Sequence, residues 1–295
     1  MGRESNQGYD VRASVFGSRE LPEEIKVGDR NRFCMYRALL FTFVLAFVFP
    51  VSADVGIPDF ERVASGLEYR EVKLNHPRPI VCYQLRCDPK KVKFNLLLAS
   101  DLKQRSVTKT SARTIQQKFS QLAVINSSYF GHRNEVLGYA ERYGQVLNPD
   151  IARDGIFSAF FYWDGGRAGL KHRSEALPKN VPVLFQAGPR LVWDGKEIEG
   201  LERRALANRS GVSIDAQGRV TLFAIGGFSM TSLSELPNLL MRSESKGGVE
   251  SVRALNFDGG PSTQFCLDTK RKKAYLPGFS KVPIFLGVSE RHNKW

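Results

Sequence analysis

The sequence predicts a single α+β domain in which a mixed β-sheet core packs against a few helices. Its 295 residues are enough for one large domain or two small ones. An apolar content of 42% with 25% charged residues is typical of a globular chain and argues against a disordered one. From residue 79 onward, short apolar runs bounded by turn residues recur, whereas only two segments carry a helical pattern. Such a pattern favours a sheet core with few helices.

The N-terminus has the features of a secretory signal. Residues 38–53 are almost entirely apolar, follow several arginines and end in a small-x-small site. Met35 lies just before this run, so we interpret 35–53 as a signal peptide and 1–34 as a non-native or disordered extension. The run is shorter than the about 20 residues that span a membrane. We therefore expect export to the periplasm or the extracellular space, with an uncleaved N-terminal anchor as the alternative.

The formal net charge of +13 favours anionic partners, such as phosphorylated glycans, lipid head groups or nucleic acid. Nucleic acid is not expected, because the sequence contains none of the usual nucleic-acid-binding motifs. The local basic run at 270–273 lies between two strand-like segments and is interpreted as a solvated hairpin loop.

Cys82, Cys87 and Cys266 follow the signal peptide. Export would permit a disulfide, and Cys82 with Cys87 is the local candidate pair. However, two residues five apart on one continuous strand point to opposite faces. Buried free thiols therefore remain an equal alternative.

A lead segment, 54–78, is predicted to precede the domain at 79–295. In the first half of that domain, residues 106–120 are predicted as a helix, because the apolar residues share one face and Thr108, Thr110 or Ser111 can cap it. The polar segment 137–154 is expected to be an irregular loop that is long enough to cover a site. Strands are predicted in four apolar runs: 79–86, 92–100, 122–125 and 155–163.

In the second half, a helix is predicted to begin near Ser234. Ser232 and Glu235 fit a capping box, but Pro237 would remove a hydrogen bond from an earlier first turn. The acid–glycine pair after Trp163 is interpreted as a plain hairpin turn. Further strands are predicted at 181–193, 211–215, 219–225 and 252–257, and two short ones within 273–289.

The rest of the chain is organised around the stretch that follows strand 252–257. It reads Asp258-Gly259-Gly260-Pro261-Ser262-Thr263. Glycine accepts a positive φ without steric cost, so the backbone can turn sharply and a ligand can approach it. Asp258 is then a candidate functional acid at a strand end. A hairpin turn formed by Asp-Gly is the alternative.

A second apolar strand ends in Asn126, followed by two serines. Ligand sites in sheet proteins often lie off strand ends, so the two polar strand ends are candidates for one site. The alternative is that Asn126 only caps the turn.

Taken in order, five blocks of the sequence resemble the phosphodiester glycosidase family, which includes an enzyme that removes N-acetylglucosamine from a sugar-phosphate diester. The last block is similar to the family's Asn-Leu-Asp-Gly-Gly-x-Ser-Ser/Thr signature. Ser127 and Ser128 replace two glycines of the family pattern, and the spacing after Arg209 is shorter, so the substrate stays open. The matching blocks are 125–130, 185–192, 208–212, 232–240 and 255–263.

The resemblance implies an exported hydrolase that cleaves a sugar-1-phosphodiester and releases a sugar. Asp258 would be the nucleophile or the general base on water, and Arg209 would bind the phosphate. The amides of Gly259 and Gly260 would cradle an anion. Hydrogen bonds to sugar hydroxyls or phosphate oxygens are expected from Asn126, Ser262 and Thr263, and further substrate contacts from Gln186 and Asp154.

A glycosidase usually needs two carboxylates, but a phosphomonoester leaving group is a weak base and makes the general acid less necessary. Asp154 and Glu141 are the candidates if a second carboxylate is needed. Each has the alternative of a solvated loop charge, and Arg209 has that of a structural ion pair. No cofactor is certain, although a divalent cation is possible. The expected partner is a phosphorylated glycan or another anionic saccharide, with membrane contact only through an uncleaved signal.

Two other functions remain open at this point. The protein would be a non-catalytic binder of anionic polysaccharide or envelope glycolipid if the same pocket bound its ligand without turnover. It would be a phosphodiesterase if water attacked phosphorus rather than carbon.

Overall fold

The computed structural model describes residues 56–75, 77–103 and 107–291. The predicted extension 1–34 and signal peptide 35–53 lie outside these residues. Within them, no helix combines the length and the apolar character needed to cross a membrane. The segment predicted as a lead is part of the fold, because it contributes two strands to the largest sheet.

Strands dominate the structure. In chain order they are β1 (Glu61–Ala64), β2 (Leu67–Leu74), β3 (Ile80–Cys87), β4 (Val92–Leu98), β5 (Ala123–Asn126), β6 (Ala140–Arg142), β7 (Gln145–Asn148), β8 (Ala159–Trp163), β9 (Ala168–His172), β10 (Val183–Ala187), β11 (Arg190–Trp193), β12 (Lys196–Glu197), β13 (Arg209–Asp215), β14 (Val220–Ile225), β15 (Ser251–Asn256), β16 (Phe265–Asp268), β17 (Lys273–Leu276) and β18 (Ile284–Glu290). The α-helices are α1 (Ala112–Lys118) and α2 (Leu236–Met241).

The described strands form three sheets. The first has the order β1-β2-β3-β14-β13-β15-β11-β12, the second β7-β6-β10-β8-β9 and the third β17-β16-β5-β18-β4. Each pairing between these strands is antiparallel, so the protein is richer in strand than expected and its sheets are not mixed. Short turns explain the pairings between consecutive strands, because a two- to four-residue connection such as that between β13 and β14 can only join antiparallel strands.

Aromatic contacts join the three sheets in one core. Phe94 of the third sheet packs edge-on against Phe161 of the second, with ring centres 5.7 Å apart. Phe185 of the second sheet meets Phe257, which follows β15 of the first, at 5.4 Å. These side chains are fully buried, and the site-bearing ends of β5 and β15 are therefore fixed against a packed interior.

The predicted helices are present but shorter. Helix α1 begins after Ser111, whose hydroxyl accepts a hydrogen bond from the Thr114 amide at 3.2 Å. Thr110 cannot belong to it, because it forms a bridge with Val282. Helix α2 begins at Leu236, just after Glu235, whose carboxylate accepts a hydrogen bond from the Ser232 amide at 2.9 Å. This late start agrees with the expectation that Pro237 would remove a hydrogen bond from an earlier first turn.

The segment 137–154 is not wholly irregular, because it contains the hairpin β6–β7. Cys82, Cys87 and Cys266, the cysteines among the described residues, are free and buried. Cys82 and Cys87 lie on β3 and pack into different apolar clusters, one on each side of the strand, so the free-thiol alternative is the one observed.

Candidate active site

Arg209 and Asp258 lie opposite each other at one end of the first sheet. In the antiparallel pair of β13 and β15, Gly211 is the partner of Asn256. Main-chain hydrogen bonds extend this register beyond the strand, since the Phe257 amide donates to the Ser210 carbonyl at 2.8 Å. The two residues expected to share a site are therefore brought together by the strand pairing.

The main chain of Asp258 is held by two sheets. Its amide donates to the Ser127 carbonyl at 3.0 Å, and its carbonyl accepts from the Asn126 side-chain amide at 2.6 Å and from the Ser210 hydroxyl at 3.1 Å. Asn126 and Ser127 belong to the end of β5 in the third sheet, whereas Ser210 belongs to the first. The acid thus stands at the junction of these two sheets, on a backbone that is fixed from both sides.

The Asp258 carboxyl is half-buried. Burial raises its pKa from the usual value to about 6, while hydrogen bonds from the Ser262 hydroxyl and the Gly259 amide act in the opposite direction. A carboxylate that titrates near neutral pH is suited to accepting a proton or attacking an electrophilic carbon.

The Arg209 guanidinium is fixed by main-chain carbonyls. Nε donates to the Thr231 carbonyl at 3.1 Å, and Nη2 donates to the Ala205 carbonyl at 2.8 Å. A Cβ atom on Gly259 would lie 3.7 Å from Nη1, so Nη1 is directed along the turn that follows Asp258.

In the described part of the chain, Nη1 of Arg209 has no hydrogen-bond partner and no carboxylate lies within 4.0 Å of the guanidinium. The alternative interpretation, in which Arg209 forms a structural ion pair, is therefore not supported within these residues. Burial lowers the pKa of Arg209, whereas the charge of Glu202 raises it. An anion bound in front of Nη1 would offset the cost of burying this cation.

Tyr129 is a site residue that sequence reasoning missed. Its hydroxyl donates to the Gly188 carbonyl at 2.6 Å and accepts from the Asn256 side chain at 3.2 Å. Burial raises the pKa of Tyr129, the charge of Asp258 raises it further and that of Arg209 lowers it, so the tyrosine interacts with both of these groups. The signal was its position, three residues after Asn126 at the same strand end.

Two hydroxyls beside Asp258 are buried without partners among the residues that the structure describes. They are Ser127 Oγ, next to the carbonyl that binds the Asp258 amide, and Thr263 Oγ1, in the turn that follows the acid. Because an unpaired buried hydroxyl is costly, these atoms are suited to bonding a polar ligand or water. Ser262 and Thr263 were both predicted to bind substrate oxygens, but the Ser262 hydroxyl instead donates to the Asp258 carboxylate.

Asn126 and Gly260, which were expected to contact substrate, are instead hydrogen-bonded within the protein. The Asn126 side chain is buried; its amide nitrogen binds Asp258 and its oxygen accepts from the Gln264 amide at 3.1 Å. It is therefore a positioning residue. The Gly260 amide donates to the Asn208 carbonyl at 2.8 Å, so it is not left to cradle an anion, whereas the Gly259 amide lies beside the Asp258 carboxyl and lowers its pKa.

Gln186 is also structural rather than a substrate contact. Its side chain is fully buried. Its oxygen accepts from the amides of Ala152 at 2.9 Å and Tyr139 at 3.3 Å, and its nitrogen donates to the carbonyls of Ala152 at 2.7 Å and Phe157 at 3.1 Å. It fixes the segment before β8 onto β10, where all four of its bonding directions are used internally.

The two candidates for a second carboxylate are not joined to the site. Asp154 is exposed, and its carbonyl accepts from Arg173 at 3.1 Å. The Glu141 carboxylate accepts from the Tyr139 hydroxyl at 2.7 Å, on β6 of the second sheet. Neither side chain hydrogen-bonds to Asp258 or Arg209, which leaves Asp258 as the carboxylate that the strand ends supply.

Metal ligation gets no support from the described ranges, in which no group of three or more His, Cys, Asp or Glu side chains is placed to hold an ion. The possible divalent cation remains an expectation from sequence.

The described strands form three antiparallel sheets, and Asp258 lies opposite Arg209 at one end of the first sheet. This arrangement is a candidate site for an anionic substrate. A model of the phosphodiester glycosidase family matches residues 120–289, which is more than half of the chain and includes both site residues. The chain belongs to that family. A sequence search of curated proteins finds no match.

The solved structures that share the fold include one from zebrafish and one from Synechocystis. The catalytic domain of zebrafish N-acetylglucosamine-1-phosphodiester alpha-N-acetylglucosaminidase, auto-inhibited by its pro-peptide, is 14% identical with a TM-score of 0.53, over 80% of this chain and 86% of that one. A hypothetical protein from Synechocystis is 15% identical with a TM-score of 0.56, over 76% of this chain. The alignment spans 62% of the Synechocystis chain, less than two thirds of its length. At these identities the likeness is one of fold alone.

Proposed function

We propose that this protein is an exported hydrolase that cleaves a sugar-1-phosphodiester and releases a sugar. Its family makes phosphodiester glycosidase activity the expected class. The observation that carries the proposal is the placement of Asp258 opposite Arg209 without an ion pair between them. The substrate's phosphate would meet the guanidinium while the sugar meets the carboxylate.

Arg209 would bind the phosphodiester through Nη1. Its other two nitrogens already donate to main-chain carbonyls, so the guanidinium is held in place before substrate arrives. A fixed donor loses little freedom on binding, and its hydrogen bond to a charged oxygen is strong. Thr263 Oγ1 and Ser127 Oγ would donate to further phosphate or sugar oxygens.

Asp258 would act on the anomeric carbon, either by direct attack or by taking a proton from the attacking water. Both roles need the ionised carboxylate, which predominates above a pKa of about 6. The departing phosphomonoester is a weak base, so it needs a general acid less than a sugar alkoxide does. One carboxylate with one cation is therefore sufficient for the reaction that we propose.

The substrate would be a phosphorylated glycan or another anionic saccharide. N-acetylglucosamine-1-phosphodiesters are the first compounds to test, because the zebrafish relative is named for that linkage. Export through the signal at 35–53 belongs to the same proposal and is supported by its apolar run and cleavage-site pattern.

The test is to incubate the purified full chain with a panel of sugar-1-phosphodiesters and to measure free sugar. Turnover by the wild type and its loss in Asp258→Asn would support the proposal. Binding of these compounds without release of sugar by the wild type would overturn it in favour of a saccharide binder. Hydrolysis in oxygen-18 water separates the remaining alternative, because label in the sugar reports attack at carbon and label in the phosphate reports attack at phosphorus.

A further inference from the structure

Five exposed apolar residues surround one side of the candidate active site. We call Leu206, Phe228, Met230, Pro261 and Phe279 the apolar patch. Phe228 is fully exposed, at 104% of its reference area, and Phe279 is 71% exposed. Leu206 and Met230 are each 44% exposed, and Pro261 is also exposed. Single exposed apolar residues are ordinary, but a group of them at loop tips beside a site indicates an interaction surface.

The four loops that carry the patch are bonded to one another. The Asn208 side chain donates to the Ser229 carbonyl at 2.7 Å, and the Gly260 amide donates to the Asn208 carbonyl at 2.8 Å. The Ser280 amide donates to the Pro261 carbonyl at 2.9 Å. The loops that carry the patch are therefore fixed next to one another.

The same loops hold the catalytic groups. Arg209 donates to the carbonyls of Ala205 and Thr231, which directly neighbour two patch residues in the chain. Pro261 follows Asp258 by three positions in the turn that contains Ser262. The loops of the patch thus adjoin the segments that carry the carboxylate and the guanidinium.

The charged residues within the four segments that carry the patch are all positive. Arg203, Arg204 and Lys281 are exposed, and none of them forms an ion pair within the part of the chain that the structure covers. The nearby Glu202 uses its carboxylate to accept from the amides of Arg204 and Ala205. Asp and Glu are absent from the four segments that carry the patch, although Glu202 and Asp258 directly precede two of them. The segments are 203–207, 226–231, 259–264 and 277–281.

We propose that the apolar patch docks on an anionic lipid bilayer, which presents the sugar phosphodiester to the active site as the head group of a lipid. Aromatic and aliphatic loop tips enter the boundary between head groups and acyl chains, and unpaired cations beside them are attracted to anionic lipids. The net charge of +13 draws the whole protein to the same surface. The docking surface stands on the patch itself, whereas the nature of the lipid head group rests on the proposed function.

Insertion of the patch is measured with a local fluorescent reporter. The full chain is prepared as Phe228→Trp and, as a matched control, as Tyr143→Trp. Tyr143 is 56% exposed but lies at the β6–β7 hairpin of the second sheet, outside the patch. Each variant is titrated with vesicles of brominated phosphatidylcholine and phosphatidylglycerol, and the signal of the parent protein is subtracted. The apolar run at 38–53 is common to both variants, so it does not create a difference between them.

We expect quenching of the added indole to be several-fold stronger in F228W than in Y143W. Adding Phe279→Ser to F228W should reduce that quenching, whereas adding Val146→Ser should not, and phosphatidylcholine vesicles alone should give little of it. Equal quenching in the two reporter variants, or none at position 228, would overturn the docking surface. Thermal melting of each variant checks that the fold is retained.

A second measurement separates this inference from the proposed function. A sugar phosphodiester with a long alkyl chain is supplied in the same vesicles, beside a water-soluble analogue. If position 228 is quenched but neither compound is cleaved, the docking surface stands and the proposed hydrolysis fails. If the soluble compound is cleaved without quenching at position 228, the docking surface fails and the hydrolysis stands.

Discussion

Arg209 and Asp258 face each other across the pairing of β13 and β15, yet their side chains form no ion pair. The guanidinium is turned toward the carbonyls of Ala205 and Thr231, and the carboxylate toward Ser262 and the Gly259 amide. The guanidinium and the carboxylate are thus not paired with each other, and a third group can bind to both. A phosphodiester is such a group, because its charge complements the cation while its sugar extends toward the acid.

The pH dependence of turnover should report the ionisation of Asp258. Burial raises the pKa of this carboxyl to about 6, and the roles of nucleophile and base both require the ionised form. We therefore expect kcat/KM to rise with pH up to about 6 and to level off above it. The measurement is initial rates of sugar release between pH 4 and 8. A rate that falls through the same range would assign Asp258 the role of an acid.

Replacing Asp258 by Asn should stabilise the folded protein at neutral pH while it abolishes turnover. The folded pKa is raised above the unfolded value of 3.8, so the stability that this group contributes is complete below about pH 4 and is lost as pH rises through about 6. The neutral amide avoids that loss, with a gain of up to about 3 kcal/mol in the free energy of unfolding at pH 7.5.

Urea unfolding of both proteins at pH 4 and pH 7.5 tests this dependence. The two should have equal stability at the lower pH and differ at the higher one. Asp150→Asn is the matched control, because Asp150 is exposed and its variant should show no such difference. A variant that is less stable than the wild type at pH 7.5 would contradict the assignment of a desolvated carboxylate.

Most of the elements, and the pair at the centre of the site, could be predicted from the sequence. Asp258 follows an apolar run that is long enough to be a strand, and Arg209 begins another, so both were placed at strand ends. That the two ends adjoin follows from strand register, which spacing along the chain does not contain. The resemblance to a family supplied that step.

The errors concern where polar side chains point. Asn126 and Gln186 are residue types that often contact ligands, but both side-chain amides hydrogen-bond to main-chain groups that only the tertiary fold brings near them. The hairpin β6–β7 was missed because its strands are short, partly exposed and polar, and so lack the alternation that marks a strand. The number of sheets depends on how strands pack in three dimensions, which local periodicity does not encode.

Arg209→Lys should weaken both substrate binding and turnover. An ammonium cannot donate to Ala205 and Thr231 while it also holds a phosphate oxygen, because it lacks the planar fork of guanidinium nitrogens. Hydrogen bonds to charged groups contribute about 1.5–3 kcal/mol each, so we expect kcat/KM to fall by about 10–100-fold. Arg203→Lys is the control, since Arg203 is exposed and should keep its rate on a soluble substrate. A rate for Arg209→Lys equal to that of the control would remove Arg209 from the site.

The two glycines after Asp258 should respond differently to the same substitution. A Cβ atom on Gly259 would lie 2.9 Å from the Asn208 carbonyl and 3.7 Å from Arg209 Nη1, whereas one on Gly260 would have no neighbour within 4 Å. Gly260 instead has a φ of 58°, which disfavours any side chain by about 1–2 kcal/mol. Gly259→Ala should therefore push the turn away from the Asn208 carbonyl, which directly precedes Arg209, so that the backbone of Arg209 shifts with its guanidinium and kcat/KM falls, with a modest loss of stability. Gly260→Ala should lower the free energy of unfolding and leave kcat/KM of the folded fraction nearly unchanged. Urea unfolding and active-site-normalised rates distinguish the two effects, and equal activity losses in both variants would show that the guanidinium is not set by the space beside Gly259.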